Sequence, residues 1–185
     1  MDEPLIPPHG GYQGLRAYQM AVVVHDATVE FCRRYVDPKS RTVDQMIQAA
    51  RSGKQNIAEG SVASGTSKKI ELKLVGIARA SQEELLVDYK DFLRQRGFDL
   101  WPKDHEKAVF IRKLCYKENM SYMTYRTYIE DKGPENAANT MVCVVNQTNF
   151  LLDKLLRQLE KAFLDDGGFT ERMHRLRQAN RNHPP

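Results

Sequence analysis

The chain has 185 residues, 41% hydrophobic and 28% charged, with 28 Lys and Arg against 24 Asp and Glu for a net charge of +4. That length suits one domain with an appendage, and the mild basicity permits a polyanionic partner without requiring one. No run approaches the ~18 apolar residues of a membrane span, which argues against a membrane partner. Cys32, Cys115 and Cys143 are odd in number and far apart, which argues against a disulfide framework and for a reducing, cytoplasmic setting.

Strand signals are nearly absent and helical periods are common. The start, "MDEPLIPPHGGYQG", is acidic and proline-rich. It lacks a basic segment followed by an apolar one, so it reads as a flexible leader over 1–12 and not as a secretory signal. The first helix is expected from Gly14 to Val36, with Leu15, Tyr18, Val22, His25, Val29, Cys32 and Val36 as its inner seam. His25 on that seam reads as a packed, hydrogen-bonded residue. Pro38 breaks the chain, Ser40 or Thr42 caps the next helix, and Thr42 with Gln45 fits a capping box.

The second helix is expected from Thr42 to Ala63 and the third from Lys68 to Arg96. Ile70, Leu74, Ile77 or Ala78, Ser81, Leu85, Tyr89 and Phe92 form the inner face of the third, and Gly97 ends it. Between these helices, Gly60, Gly65 and Ser67 have the spacing of a phosphate-cradling loop. Thr66 takes the place of its lysine, and Val43, Met46, Ile47, Ala50 and Ile57 precede it at helical spacing. A helix–helix corner follows, with Gly65 supplying backbone freedom and Thr66 or Ser67 a cap.

A further helix is expected to open at Pro102, within a segment 99–133 rich in tyrosine. The last long helix runs from Glu135 to Leu164 on Ala138, Met141, Val145, Thr148, Leu152, Leu155 and Leu159. Residues 166–185 form a basic tail. Helices of this length with short links pack as an antiparallel up-down four-helix bundle. The bundle is placed over 13–165, with 99–133 as an inserted helical segment. The cleaner repeat of the last helix favours it over 102–130 as the closing element.

The stretch "AARSGKQNIAEGSVASGTSKKIELKLVGIARASQEELLVDYKDFLRQRGF" resembles a bacterial four-helix-bundle family. That family includes proteins encoded in intervening sequences of large-subunit ribosomal RNA genes and the accessory variability proteins of diversity-generating retroelements. The resemblance rests on Arg51, on Asn56, Ile57, Ala58, Glu59 and Gly60, on Ser67, and on Ala78, Arg79, Ala80 and Ser81 with Glu84 and Leu85. It is specific over roughly 43–97. Ala80 stands where the family has glycine, 99–133 looks inserted, and the tail resembles the variant with a C-terminal suffix. The resemblance implies an all-α bundle assembled as a homopentameric ring with a basic surface. It also implies nucleic acid and a reverse-transcriptase-like protein as partners.

Arg51, Lys54, Lys68, Lys69, Lys73 and Arg79 outnumber Glu59 and Glu71 between positions 51 and 79, and the tail adds Arg172, Arg175, Arg177 and Arg181. Clustered cations of this kind suit phosphate contacts or an ordinary solvated face. Lys69, Glu71 and Lys73 fall off the inner face and are expected in water. Asn56, Glu59 and Ser81 read as a structural polar cluster at the corner. Tyr116, Tyr122, Tyr125 and Tyr128 with Met120 and Met123 read as core or as a protein-docking surface.

No His/Cys spacing suits a metal and no catalytic motif is present, so no metal, cofactor or catalytic residue is expected. The leading expectation is a non-enzymatic, self-assembling bundle that binds nucleic acid, with RNA or an RNA–protein complex as its partner. The alternative is a protein–protein adaptor docking through 116–128.

Overall fold

Caps and glycines set the element boundaries in the computed structural model, which describes residues 4–182. After a single tight turn at Tyr12–Gly14, α1 spans Arg16–Tyr35, α2 Arg41–Ala63 and α3 Lys68–Gln95. Then come α4 at Glu106–Leu114, α5 at Tyr122–Glu130, α6 at Gly133–Asp166 and α7 at Phe169–Asn182. Every regular element among the described residues is helical.

Ser40, extended just before α2, accepts the Thr42 N–H at 3.2 Å. The expected Thr42–Gln45 box is therefore displaced: Thr42 already lies inside the helix, and the hydroxyl outside it reaches the orphan amide. Ser67 caps α3 in the same way, accepting the Ile70 N–H at 3.2 Å. Gly97 takes φ +68° after α3, and the Phe98 N–H returns to the Leu93 carbonyl at 3.0 Å, a left-handed C-terminal closure.

The inner face of α1 differs from the expected seam. Ala17, Met20, Ala21, Val23, Val24, Ala27, Thr28, Phe31 and Cys32 are buried, whereas Val29 is exposed and Leu15, Tyr18, Val22 and His25 are only half-buried. His25 pairs with Asp26 at 3.3 Å near solvent. Small alanines let neighbouring helices approach on that side, so the alanine-bearing stripe wins over the bulkier one. The first half of α3 is turned likewise. Glu71, Val75 and Ala78 are buried, whereas Ile70 and Ile77 are exposed. From Ser81 to Phe92 the expected face holds, since Ser81, Leu85, Tyr89 and Phe92 are all buried.

α1 packs on α2 and α6, and α3 packs on α2 and α6; their buried side chains share one core with those of α4 and α5. At one end of it Phe31 of α1 meets Tyr89 and Phe92 of α3 edge to face, with centroids 4.9 and 4.8 Å apart. The fully buried Tyr89 hydroxyl donates to Thr28 Oγ1 at 2.9 Å, and Thr28 donates in turn to the Val24 carbonyl at 2.7 Å. This chain satisfies hydroxyls that would otherwise be stranded in the core.

Segment 99–133 forms two short helices in place of the single long one expected from Pro102. Pro102 lies in a turn, His105 caps α4, and the chain breaks again between Leu114 and Tyr122. α4 and α5 lie on α6, and α5 also contacts α1. Arg16 ties the break to α1, donating to the Cys115 and Lys117 carbonyls. At the other end of α5, Glu130 accepts from Arg34 (2.6 Å), Tyr122 (2.7 Å) and Arg126 (2.9 Å).

Candidate nucleic-acid interface

The α2–α3 corner is built by close approach. Gly60 lies inside α2, where a Cβ would stand 3.3 Å from the Glu71 carbonyl oxygen and 3.4 Å from Leu74 Cβ. Gly65 has no positive φ, so the expected backbone freedom is not its role. A Cβ there would meet His9 Nδ1 at 2.8 Å, because residues of the leader lie across the corner. The Gly10 N–H also donates to the Ser61 carbonyl at 3.1 Å. His9 and Gly10 of the leader, expected to be flexible over 1–12, thus lie against the α2–α3 corner; residues 1–3 lie outside the described residues.

The expected polar cluster is joined by a residue that sequence reasoning missed. Asn56 donates to the Ser52 carbonyl (2.9 Å) and to Ser52 Oγ (3.0 Å), and Ser81 donates to Ser52 Oγ at 3.0 Å. Ser52 lies one turn before Asn56, a spacing that places both on one helix face. Glu59 is exposed on α2 and joins none of these bonds.

The basic residues divide by what they touch. Lys68 pairs with Glu71 at 2.9 Å, which accounts for the burial of a carboxylate expected in water. Arg79 is shared between Glu83 (2.8 Å) and Asp153 (3.0 Å), linking α3 to α6. Among the described residues, no ion pair or hydrogen bond engages the side chains of Arg51, Lys54, Lys69 or Lys73. Arg51, Lys69 and Lys73 are exposed and Lys54 is half-buried. Lys69 and Lys73 occupy the start of α3 beside the end of α2. Arg51 and Lys54 flank Gly53, which faces Gln82 about 10 Å along α2 from Gly60 at 1.5 Å per residue.

The tail begins beside the same corner. Gly168 begins α7 by donating its N–H to Glu171 at 3.0 Å. Lys68, Gly65 and Arg172 line one small hollow of about 40 Å³ with residues at the α6–α7 junction. Arg175, Arg177 and Arg181 are exposed further along α7.

The tyrosine-rich segment is split between core and surface. Met120 and Tyr125 are buried and Tyr122 is half-buried against Glu130, so a Tyr125 substitution tests folding and not docking. Tyr116 and Met123 are 80% and 63% exposed. All three cysteines are buried free thiols, and burial raises that of Cys32 to about 12 and that of Cys143 to about 11.

No family model, curated protein or solved structure matches the chain. What defines it is an all-helical fold whose α2 and α3 carry cations without carboxylate partners among the described residues. Among the described residues no helix is long and apolar enough to cross a membrane.

Proposed function

We propose that α1, α2, α3 and α6 form an antiparallel up-down four-helix bundle that self-associates and binds nucleic acid, with RNA as the partner class. Cys32 beside Met46, Gly60 beside Glu71, and Arg79 bonded to Asp153 support alternating helix directions. The observation that carries the binding reading is the set Arg51, Lys54, Lys69 and Lys73, which have no carboxylate partner among the described residues, unlike Lys68 and Arg79. Such cations lower the free energy of a nearby phosphate backbone by releasing its counterions, with little sequence preference. Arg177 adds an exposed cation on α7. Exposed Ile70, Ile77 and Val87 on α3 support a second copy as the neighbour of that helix. A ring of five and a reverse-transcriptase-like partner are what the family resemblance over 43–97 implies. The reading assigns no catalytic residue.

The test is light scattering on a sizing column, with and without mixed-sequence RNA, at low and high salt. An oligomer that takes up RNA at low salt and releases it at high salt is expected. The R51E/K54E/K69E/K73E protein should stay helical, bind more weakly and lose most of the salt dependence. A monomer that ignores RNA at low salt removes the reading.

A second reading, a protein adaptor, is favoured by exposed Tyr116 and Met123. It predicts a protein partner bound with little salt dependence and lost in Y116A/M123A.

A further inference from the structure

The hollow where α4, α5 and the start of α6 meet is separate from the basic face. It encloses about 540 Å³, and a second hollow of about 340 Å³ adjoins it. The larger volume falls in the ~300–1,000 Å³ range of small-ligand sites. Trp101, Lys107, Lys132 and Asn136 line both, and Phe110 and Tyr128 line the larger.

The wall is held in place by buried polar bonds. Asn139, 1% exposed, accepts the Trp101 backbone N–H at 2.7 Å and donates to the Asp99 carbonyl at 2.8 Å and the Glu135 carbonyl at 3.1 Å. The indole stacks on His105 with centroids 5.1 Å apart and planes within 5°, and His105 in turn accepts the Lys107 N–H as the α4 cap. Asn136 donates to the Tyr128 carbonyl at 3.0 Å. The loop carrying the tryptophan is therefore fixed before any ligand arrives, which lowers the ordering cost of binding.

Three aromatic rings line this space. Phe110 leaves 48% of its surface exposed, and its ring is tilted against Tyr128 at 5.7 Å. Two lysines stand among them. Lys107 Nζ lies 5.3 Å from the Trp101 ring centroid, and no ion pair engages Lys107 or Lys132 among the described residues. The carboxylates are fewer at the shared wall: Glu106 lines only the larger hollow and Glu135 only the smaller, whereas both lysines line both.

We propose that this hollow binds a planar, apolar small molecule carrying one anionic group, a carboxylate or a phosphate. The rings receive the planar body, and Lys107 and Lys132 receive the anion. The inference does not rest on nucleic-acid binding by the α2–α3 face.

Trp101 is the sole tryptophan, so its indole N–H gives one resonance that reports on this site. The full chain is titrated with naphthoate, naphthyl phosphate and uncharged naphthylmethanol. A saturable shift of that resonance is expected with at least one anion, at least about tenfold tighter than with the alcohol. The preference should vanish in K107A/K132A, whose changes fall on exposed positions. The carboxylate and phosphate arms separate the two anion sources. No saturable shift, equal binding of the alcohol, or an anion preference that survives K107A/K132A overturns the proposal. A shift produced by dilution alone also overturns it, since a second copy would then cover the hollow.

Discussion

Gly53 of α2 and Gln82 of α3 are in contact so close that a Cβ on residue 53 would stand 2.2 Å from Gln82 Nε2. Gln82 is fully buried, and neither of its amide atoms has a hydrogen-bond partner among the described residues. Alanine at a helical glycine ordinarily stabilises by about 1 kcal/mol, but overpacking costs about 1–3 kcal/mol. Gly53→Ala should therefore bring no gain, and a loss of up to about 2 kcal/mol, when Gln82 is present. It should raise stability in a Gln82→Ala background, where the clash is gone. Denaturant unfolding of the four proteins checks this, and an equal effect of G53A in both backgrounds would contradict it.

Replacing Gln82 by Met keeps its length and removes two buried polar atoms. Because buried polar groups without hydrogen bonds cost about 1–3 kcal/mol, Gln82→Met should leave stability unchanged or raise it. A loss above about 1 kcal/mol in the same unfolding assay would mean that the amide is satisfied in solution.

Asn139→Ala removes the clamp on residues 99–101. The Trp101 N–H and the Asp99 carbonyl lose a partner, so a loss of about 2–4 kcal/mol is expected. The emission of the sole tryptophan should shift to the red as its ring becomes more solvated. An unchanged spectrum with unchanged stability would show that the loop holds itself without Asn139.

Asp88 is partly buried, and burial first, then Glu84 and Asp91, raises its carboxyl from 3.8 to about 6. The folded protein therefore binds that proton more tightly than the unfolded chain. The stabilisation is present below pH 3.8 and is lost as pH rises through about 6. Asp88→Asn should flatten this part of the pH–stability curve and raise stability at neutral pH relative to wild type. Urea midpoints measured between these pH values test it, and parallel curves for the two proteins would count against the assignment.

Arg79 is already shared between Glu83 and Asp153. Surface pairs of this kind contribute up to about 1 kcal/mol, so Arg79→Ala should cost no more than that. It should also leave the salt dependence of RNA binding as in the wild type, in contrast to reversal of the four cations without carboxylate partners. A slope that falls as far in R79A as in R51E/K54E/K69E/K73E would return Arg79 to the interface.

Part of the candidate interface was legible in the sequence because charge follows residue type. Exposed lysines at 69 and 73 follow from helical phase once the helix is placed. The pairing of Lys68 and Arg79 was not legible in the same way. Asp153 lies 74 positions from Arg79 and meets it only because α3 and α6 pack together. Ser52, the link between Asn56 and Ser81, escaped notice because a serine in a helix has no distinctive pattern until a second helix faces it.

The sequence by itself determined the helical class and most helix ends, since Ser40, Ser67, Gly97 and Pro134 act on the backbone within a turn or two. Tertiary structure alone decided which stripe of α1 and of the first half of α3 faces inward. In α1, Val22, Val23 and Val24 offer neighbouring stripes of similar hydrophobicity. The choice fell to Ala17, Ala21 and Ala27, whose small side chains permit close helix approach. In α3 the stripe is turned where Gly60 brings the backbone of α2 against Glu71 and Leu74. Local propensity acts over a few residues, whereas the close approach of two helices depends on groups far apart in the chain.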